Sequence, residues 1–185
     1  MVDGQFTEKL LEKAIAGDSS AFGLLYDTYQ PALYRFVYLK VGHREEAEDL
    51  THQTFLSAWE HISSFKKQGL PVSSWLYRIA RNKVIDHYRT THTTFSFEDV
   101  ELELASPEKD LTDVFDTTQD LEKLRNALRS LHPDQQDVVI LRFVEGLSHI
   151  ETARALHKNA GTIRVLQYRA LQNLKQQLRS SDDHE

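Results

Sequence analysis

The residues from Trp75 to Arg89 interleave aromatic rings (Trp75, Tyr77, Tyr88) with four basic side chains (Arg78, Arg81, Lys83, Arg89) and a single acid, Asp86. Rings are stacking platforms for unpaired bases, and cations beside them follow the phosphates of a single strand. Upstream, the polar stretch from Phe65 through Lys66 and Lys67 to Ser74 is long enough to form a pocket. The competing reading is structural: Trp75, Leu76 and Ile79 are also what an ordinary helical core would use.

A second constellation lies near the carboxyl end. Ser148-His149-Ile150-Glu151 is a capping box, which starts a helix. That helix carries Ile150, Ala153 and Leu156, then meets the turn formers His157-Lys158-Asn159-Ala160, and another helix follows from about Gly161. Two short helices with a small residue at the crossing have the helix-turn-helix layout. If Ile163, Leu166, Ala170 and Leu174 face inward, then Arg164, Val165, Tyr168, Arg169 and Gln172 face outward. Guanidinium forks suit guanine edges or phosphates, and an amide suits adenine. A plain helical hairpin with a solvated face would show the same spacing. His157 occupies the turn position that favours glycine, which histidine tolerates better than most residues.

Other chemistries find little support. With no cysteine there is no disulfide, thiolate metal site or cysteine nucleophile. The nine histidines show no metalloprotease-type spacing with an acid. Neither clustered carboxylates with a metal nor a histidine-based nucleophile system is visible, so we expect no enzyme, no cofactor, no metal and no small-molecule substrate.

The elements that must position these residues are helices. Apolar residues recur at helical spacing from Thr7 to about Arg89, as in Leu33, Phe36, Val37 and Val41, with breaks at Gly17-Asp18, Val41-Gly42 and Gly69-Leu70-Pro71. About four helices are expected there. Periodicity resumes at Leu121, Leu124, Leu128 and Leu131, and Pro133 begins a further helix. The fold expected is all-α: two small helical domains, 1–90 and 119–185, joined by an acidic flexible linker, 91–118, with the helix-turn-helix in the second. Residues 91–120 hold nine acids and one base, so the net charge of -6 belongs to the linker and the remainder sums to +2. A negative total therefore does not exclude nucleic acid. No apolar run of membrane-spanning length and no signal segment occur, so the expectation is a cytoplasmic protein with no membrane insertion.

Four blocks in order resemble the extracytoplasmic-function group of the sigma-70 family of bacterial RNA polymerase sigma factors. They are Ala21-Phe22-Gly23-Leu24-Leu25-Tyr26, Ala47-Glu48-Asp49-Leu50-Thr51-His52-Gln53-Thr54-Phe55, Ser74-Trp75-Leu76-Tyr77-Arg78-Ile79-Ala80-Arg81-Asn82, and Leu141-Arg142-Phe143-Val144-Glu145-Gly146-Leu147-Ser148 with Gly161-Thr162-Ile163-Arg164 after it. The resemblance covers about residues 18 to 178. It implies that Asp49, Gln53 and Phe55 dock on the clamp coiled coil of core polymerase. It also implies that Phe65, Lys66, Lys67, Trp75, Arg78, Arg81 and Asn82 act at the minus-10 element of promoter DNA. Thr162, Arg164, Val165, Tyr168 and Arg169 would read the minus-35 element, and an anti-sigma factor is a further partner that the family implies. Val165 and Leu166 depart from the small polar residue and arginine that many members have there. The alternative is a stand-alone helix-turn-helix regulator that does not bind polymerase, against which the aromatic and basic Trp75 segment argues.

Overall fold

The computed structural model describes residues 4–66, 71–94 and 118–182, and among them all regular structure is helical. Helix α1 (Gly4–Ile15) ends with Gly17 at φ +94, where Gly17 N–H donates to Ala14 O and Asp18 N–H to Lys13 O, both at 3.0 Å. That left-handed cap suits a residue without Cβ. Asp18 then starts α2 (Ser19–Val41), its carboxylate accepting from Ser20 N at 2.9 Å and Ala21 N at 3.0 Å. Gly42, at φ +84, ends α2 by donating to Tyr38 O at 2.8 Å. Helix α3 (Arg44–His61) opens on Glu45 and Glu46, favoured at a positive helix start, and runs into a 3₁₀ turn, Ile62–Ser64. Helix α4 (Val72–Thr94) completes this half.

The second half contains α5 (Thr118–Arg129), α6 (Pro133–Val139), a π turn (Ile140–Val144), α7 (His149–Ala155) and α8 (Ala160–Asp182). The expected breaks at Gly17 and Gly42, the start at Pro133 and the capping box all occur. Helix α4 runs past Arg89 to Thr94. The proposed acidic linker, including the alternation at Val100, Leu102 and Leu104, lies outside the described residues except at its margins.

The packing of the halves is not what periodicity alone suggests. Leu33, Phe36, Val37 and Val41 were expected on one buried stripe, yet every residue from Phe36 to Val41 is buried, Lys40 included. A helix buried all round has neighbours on every side. One side of α2 packs on α1, α3 and α4; the other meets the second half, where the Arg125 guanidinium lies 5.3 Å from the Tyr38 ring. The apolar core is accordingly one cluster, running from Leu10 and Leu11 through Phe36 and Val84 to Leu128, Ile140, Ile163 and Ala170. Each such fully buried large side chain contributes about 1.5–3 kcal/mol of transfer free energy.

Candidate nucleic-acid interface

Helix α4 has two working faces. Trp75, Arg78 and Asn82, at i, i+3 and i+7, share the first. Arg78 and Asn82 are exposed, and half-buried Trp75 tilts against Phe65 with ring centroids 5.1 Å apart. Phe65 is held there by the 3₁₀ turn, its N–H donating to Ile62 O at 3.0 Å. Leu76 is buried at 2% exposure, so the ordinary core reading holds for it, while Trp75 and Arg78 line a cavity of about 750 Å³. Ser74 also lines it, and its buried hydroxyl has no hydrogen-bond partner among the described residues. Lys66 is exposed at the cavity edge; Lys67 lies outside the described residues. The opposite wall is the helix-turn-helix turn, with Arg154, His157, Lys158 and Asn159.

The second face of α4 meets carboxylates of the other half. Arg81, expected to track phosphates, donates from Nε to Asp137 Oδ2 at 2.6 Å and from Nη2 to Asp134 Oδ1 at 2.9 Å. Lys40 Nζ donates to the other oxygen of Asp137, and the Lys40 and Asp137 side chains are only 5% and 1% exposed. Arg35 grips Glu145 with a two-pronged fork, Nε to Oε1 at 2.8 Å and Nη2 to Oε2 at 2.7 Å, and Tyr77 Oη donates to Glu145 at 3.0 Å. Burial, then the charge and hydrogen bond of Glu145, push the Tyr77 phenol far above its ordinary value. Burial acts to raise the Asp134 carboxyl, but the hydrogen bond and charge of Lys158, with Arg81 behind it, hold it below the usual 3.8. Sequence reading missed Arg35, Lys40, Asp134, Asp137 and Glu145. The one local hint was Asp137, an acid set directly before the apolar run Val138-Val139-Ile140-Leu141.

On α3, Asp49 is exposed and accepts a hydrogen bond from Gln53 Nε2 at 2.6 Å. Phe55 is not on that surface. It is buried, 4.5 Å from the Tyr26 ring and 6.4 Å from Phe22 between centroids, so it holds α3 in place. The apolar residues that α3 does expose are Leu56, at 60%, and Trp59, at 37%.

On α8, Ile163 and Ala170 are fully buried and Leu166 and Leu174 half-buried, as the inward stripe requires. Arg164, Val165, Tyr168 and Arg169 are exposed, Tyr168 at 66% and Val165 at 50%. The exposed arginines form no ion pair among the described residues, leaving their forks open to an anion or a base edge. Thr162 is half-buried; its N–H, at 2.8 Å, and its hydroxyl, at 3.1 Å, both donate to Asn159 Oδ1. Asn159, read as a turn former, is thus the cap of α8. His157 does adopt the left-handed conformation, φ +54.

Among the described residues no group of His, Asp and Glu is arranged to hold a metal ion, and no helix is long and apolar enough to cross a membrane. What the exposed groups can do is bind nucleic acid: aromatics, an amide and cations at one site, an arginine-rich helix at the other.

Two family models match the chain. The Sigma-70 region 2 model matches residues 25–94, and the Sigma-70, region 4 model matches residues 121–174. The chain is 43% identical over 171 residues to ECF RNA polymerase sigma factor BldN of Streptomyces coelicolor, covering 90% of this chain and 63% of that protein's length. It is 30% identical over 185 residues to ECF RNA polymerase sigma factor SigW of Bacillus subtilis, covering 93% of this chain and 96% of that one. Among solved structures, CnrH in complex with the cytosolic domain of CnrY shares the fold, with TM-score 0.74 at 23% identity over 95% of this chain and 98% of that one. RpoE of Bartonella quintana, solved with the anti-sigma factor NepR, has TM-score 0.64 at 27% identity over 85% and 96%. With both regions matched in order, and SigW aligned over 96% of its length at 30% identity, the chain belongs to the extracytoplasmic-function group of the sigma-70 family of RNA polymerase sigma factors.

Proposed function

We propose that this sigma factor works in the cytoplasm without catalysing a reaction itself, bringing core RNA polymerase to promoters and helping to open them. Residues 1–90 form the module that binds core polymerase and the minus-10 element, 91–118 the linker, and 119–185 the module that binds the minus-35 element. The observation that carries this reading is that one chain holds two different nucleic-acid readers. Phe65 and Trp75 with Arg78 and Asn82 suit an unpaired base, whereas Arg164, Val165, Tyr168 and Arg169 on α8 suit a duplex groove. A regulator confined to duplex DNA has no use for the first. Exposed Asp49 and half-buried Gln53, bonded to each other on α3, present the polymerase-docking surface, and Phe55 supports it from below. An anti-sigma partner is part of the proposal because RpoE, similar in fold and sequence, was solved bound to one.

The test is separability. Arg164→Ala removes an outward guanidinium and leaves the inward stripe of α8 intact, so promoter affinity of the reconstituted holoenzyme falls about tenfold or more, the worth of an arginine base contact of about 1–3 kcal/mol. Core-binding titration of that variant stays unchanged. Asp49→Arg gives the converse, weakening attachment to core polymerase. Equal loss of core binding in both variants would sink the division of labour, as would a chain that never associates with core polymerase.

A further inference from the structure

Three cations of the first domain, Arg35 and Lys40 on α2 and Arg81 on α4, meet three carboxylates of the second, Asp134, Asp137 and Glu145. Every cation has a carboxylate at hydrogen-bond range, and Asp134 is shared with Lys158 of its own domain, at 2.9 Å. Such an arrangement is poorly suited to raising stability. Desolvating buried charges offsets most of their attraction, and apolar residues of similar volume usually do as well or better. It is suited to exchange, because each side returns to water as ordinary solvated charge when the two part. The geometry also fits another anion. The planar fork that Arg35 presents to both oxygens of Glu145 grips two oxygens of a phosphate equally well, and the Lys40 ammonium is a point charge indifferent to which anion meets it. Arg81 is one residue from Asn82 on the helix read above as the single-strand reader, and α2 packs along that helix.

We propose that Arg35, Lys40 and Arg81 form a phosphate-binding surface for single-stranded promoter DNA, which Asp134, Asp137 and Glu145 of the same chain occupy as stand-ins for the backbone until DNA displaces them. This rests on the reading of the first domain as a single-strand binder and adds Arg35 and Lys40 to it. The closed arrangement covers the neighbouring reader as well, because the turn carrying Arg154, His157 and Lys158 forms the far wall of the cavity that Trp75 and Arg78 line. Opening therefore frees the phosphate surface and the stacking platform together. The outward face of α8 stays exposed in the closed chain, so duplex reading is not masked in this way.

The test uses the full chain and a fluorescein-labelled single strand of about twenty nucleotides of mixed sequence, read by anisotropy against salt. Asp137→Asn is expected to tighten binding about tenfold. Freeing the surface adds about three phosphate contacts, each worth about 0.7 in the slope of log affinity on log salt, so the slope steepens by about 2. Adding Lys40→Ala to Asp137→Asn should remove one of these contacts, taking back about 0.7 of the slope and part of the affinity gain. Since the chain lacks cysteine, Glu60→Cys and Lys175→Cys give a spin-label pair across the domains, and the Asp137→Asn chain should show a longer, broader distance at undiminished helicity. If the domains separate and single-strand affinity does not rise, or if Lys40→Ala leaves both the gain and the steeper slope unchanged, the proposal is overturned. If the distance does not change, the carboxylates do not hold the chain closed and it is overturned as well. Promoter opening by holoenzyme carrying Asn82→Ala is read in parallel; normal opening there with the Asp137→Asn gain intact would reject base capture while leaving the phosphate surface standing.

Discussion

Arg81 and Asn82 are consecutive, yet about 100° of helical rotation separates them, and that rotation decides what each does. Arg81 points to the second domain and is held by Asp134 and Asp137; Asn82 shares a face with Trp75 and Arg78 and is exposed. Residue type alone could not separate them, since arginine and asparagine are both ordinary partners of nucleic acid. An exposed amide on a helix has no structural task here, so its removal leaves folding untouched. If Asn82 bonds the edge of a captured base, Asn82→Ala withdraws an interaction worth about 1–3 kcal/mol, and open complexes on a minus-10-dependent promoter fall about tenfold. Permanganate reactivity of unpaired thymines measures the opening, and core-binding titration of the same variant should match the parent. Undiminished permanganate reactivity would remove Asn82 from the base pocket. Phe55 teaches the complementary lesson. Its place within a docking motif suggested a contact surface, but a phenyl ring between Tyr26 and Phe22 works from inside, and only Asp49 and Gln53 of that trio face out.

Helix ends were legible because their physics is local. Asp18 and the Ser148–Glu151 box bond amides within three residues, and Gly17 and Gly42 adopt the left-handed conformations that their lack of Cβ permits. The π turn at Ile140–Val144 had no such signal, since wide turns follow from packing rather than from a cap residue. The end of α7 repeats the end of α1: His157 N–H donates to Arg154 O at 3.3 Å and Lys158 N–H to Ala153 O at 2.8 Å, the pairing that Gly17 and Asp18 make with Ala14 and Lys13. The difference is that a histidine, not a glycine, takes the left-handed position, at φ +54. The strain is on the order of 1 kcal/mol, set against the larger unfolded-state entropy of glycine. Because His157 is exposed and its side chain makes no hydrogen bond among the described residues, His157→Gly should stabilise the turn by a few tenths up to about 1 kcal/mol. At this chain length that is a rise of about 1–4 °C in thermal midpoint, measurable by calorimetry. A fall in the midpoint would mean that the imidazole contributes a contact worth more than the strain.

The relation of the two domains was the least legible feature, because the groups that join them are far apart in sequence: Lys40 and Asp137 by 97 positions, Arg35 and Glu145 by 110. Periodicity identifies a stripe on one helix and says nothing about which distant carboxylate a lysine will meet. The carboxylates that engage Arg35, Lys40 and Arg81 belong to the second domain itself. This pairing fixes how the closed arrangement responds to pH. Asp134 faces Lys158 and, more weakly, His132 from its own domain and Arg81 from α4, and its carboxyl is held below the ordinary 3.8. A group depressed in the folded state contributes stability that is fully present above its unfolded value and is lost as pH falls through the folded one. Tyr77 has the opposite sign: raised above 10.0, it keeps its proton and its bond to Glu145 through the alkaline range, and that contribution is lost only as pH climbs through the raised value. The closed arrangement should therefore hold steady between about pH 4 and pH 10, with its acid limit on the low side of the ordinary carboxylate range. No imidazole takes part in the ion pairs between the domains among the described residues; the His87 contact with Glu46, at 3.3 Å, lies within the first. The radius of gyration from small-angle scattering, taken from pH 8 downward, should stay flat through the histidine range near pH 6.5 and increase only below about pH 4. Expansion centred near pH 6 to 7 would show that a histidine, and not the carboxylate pairs, governs closure.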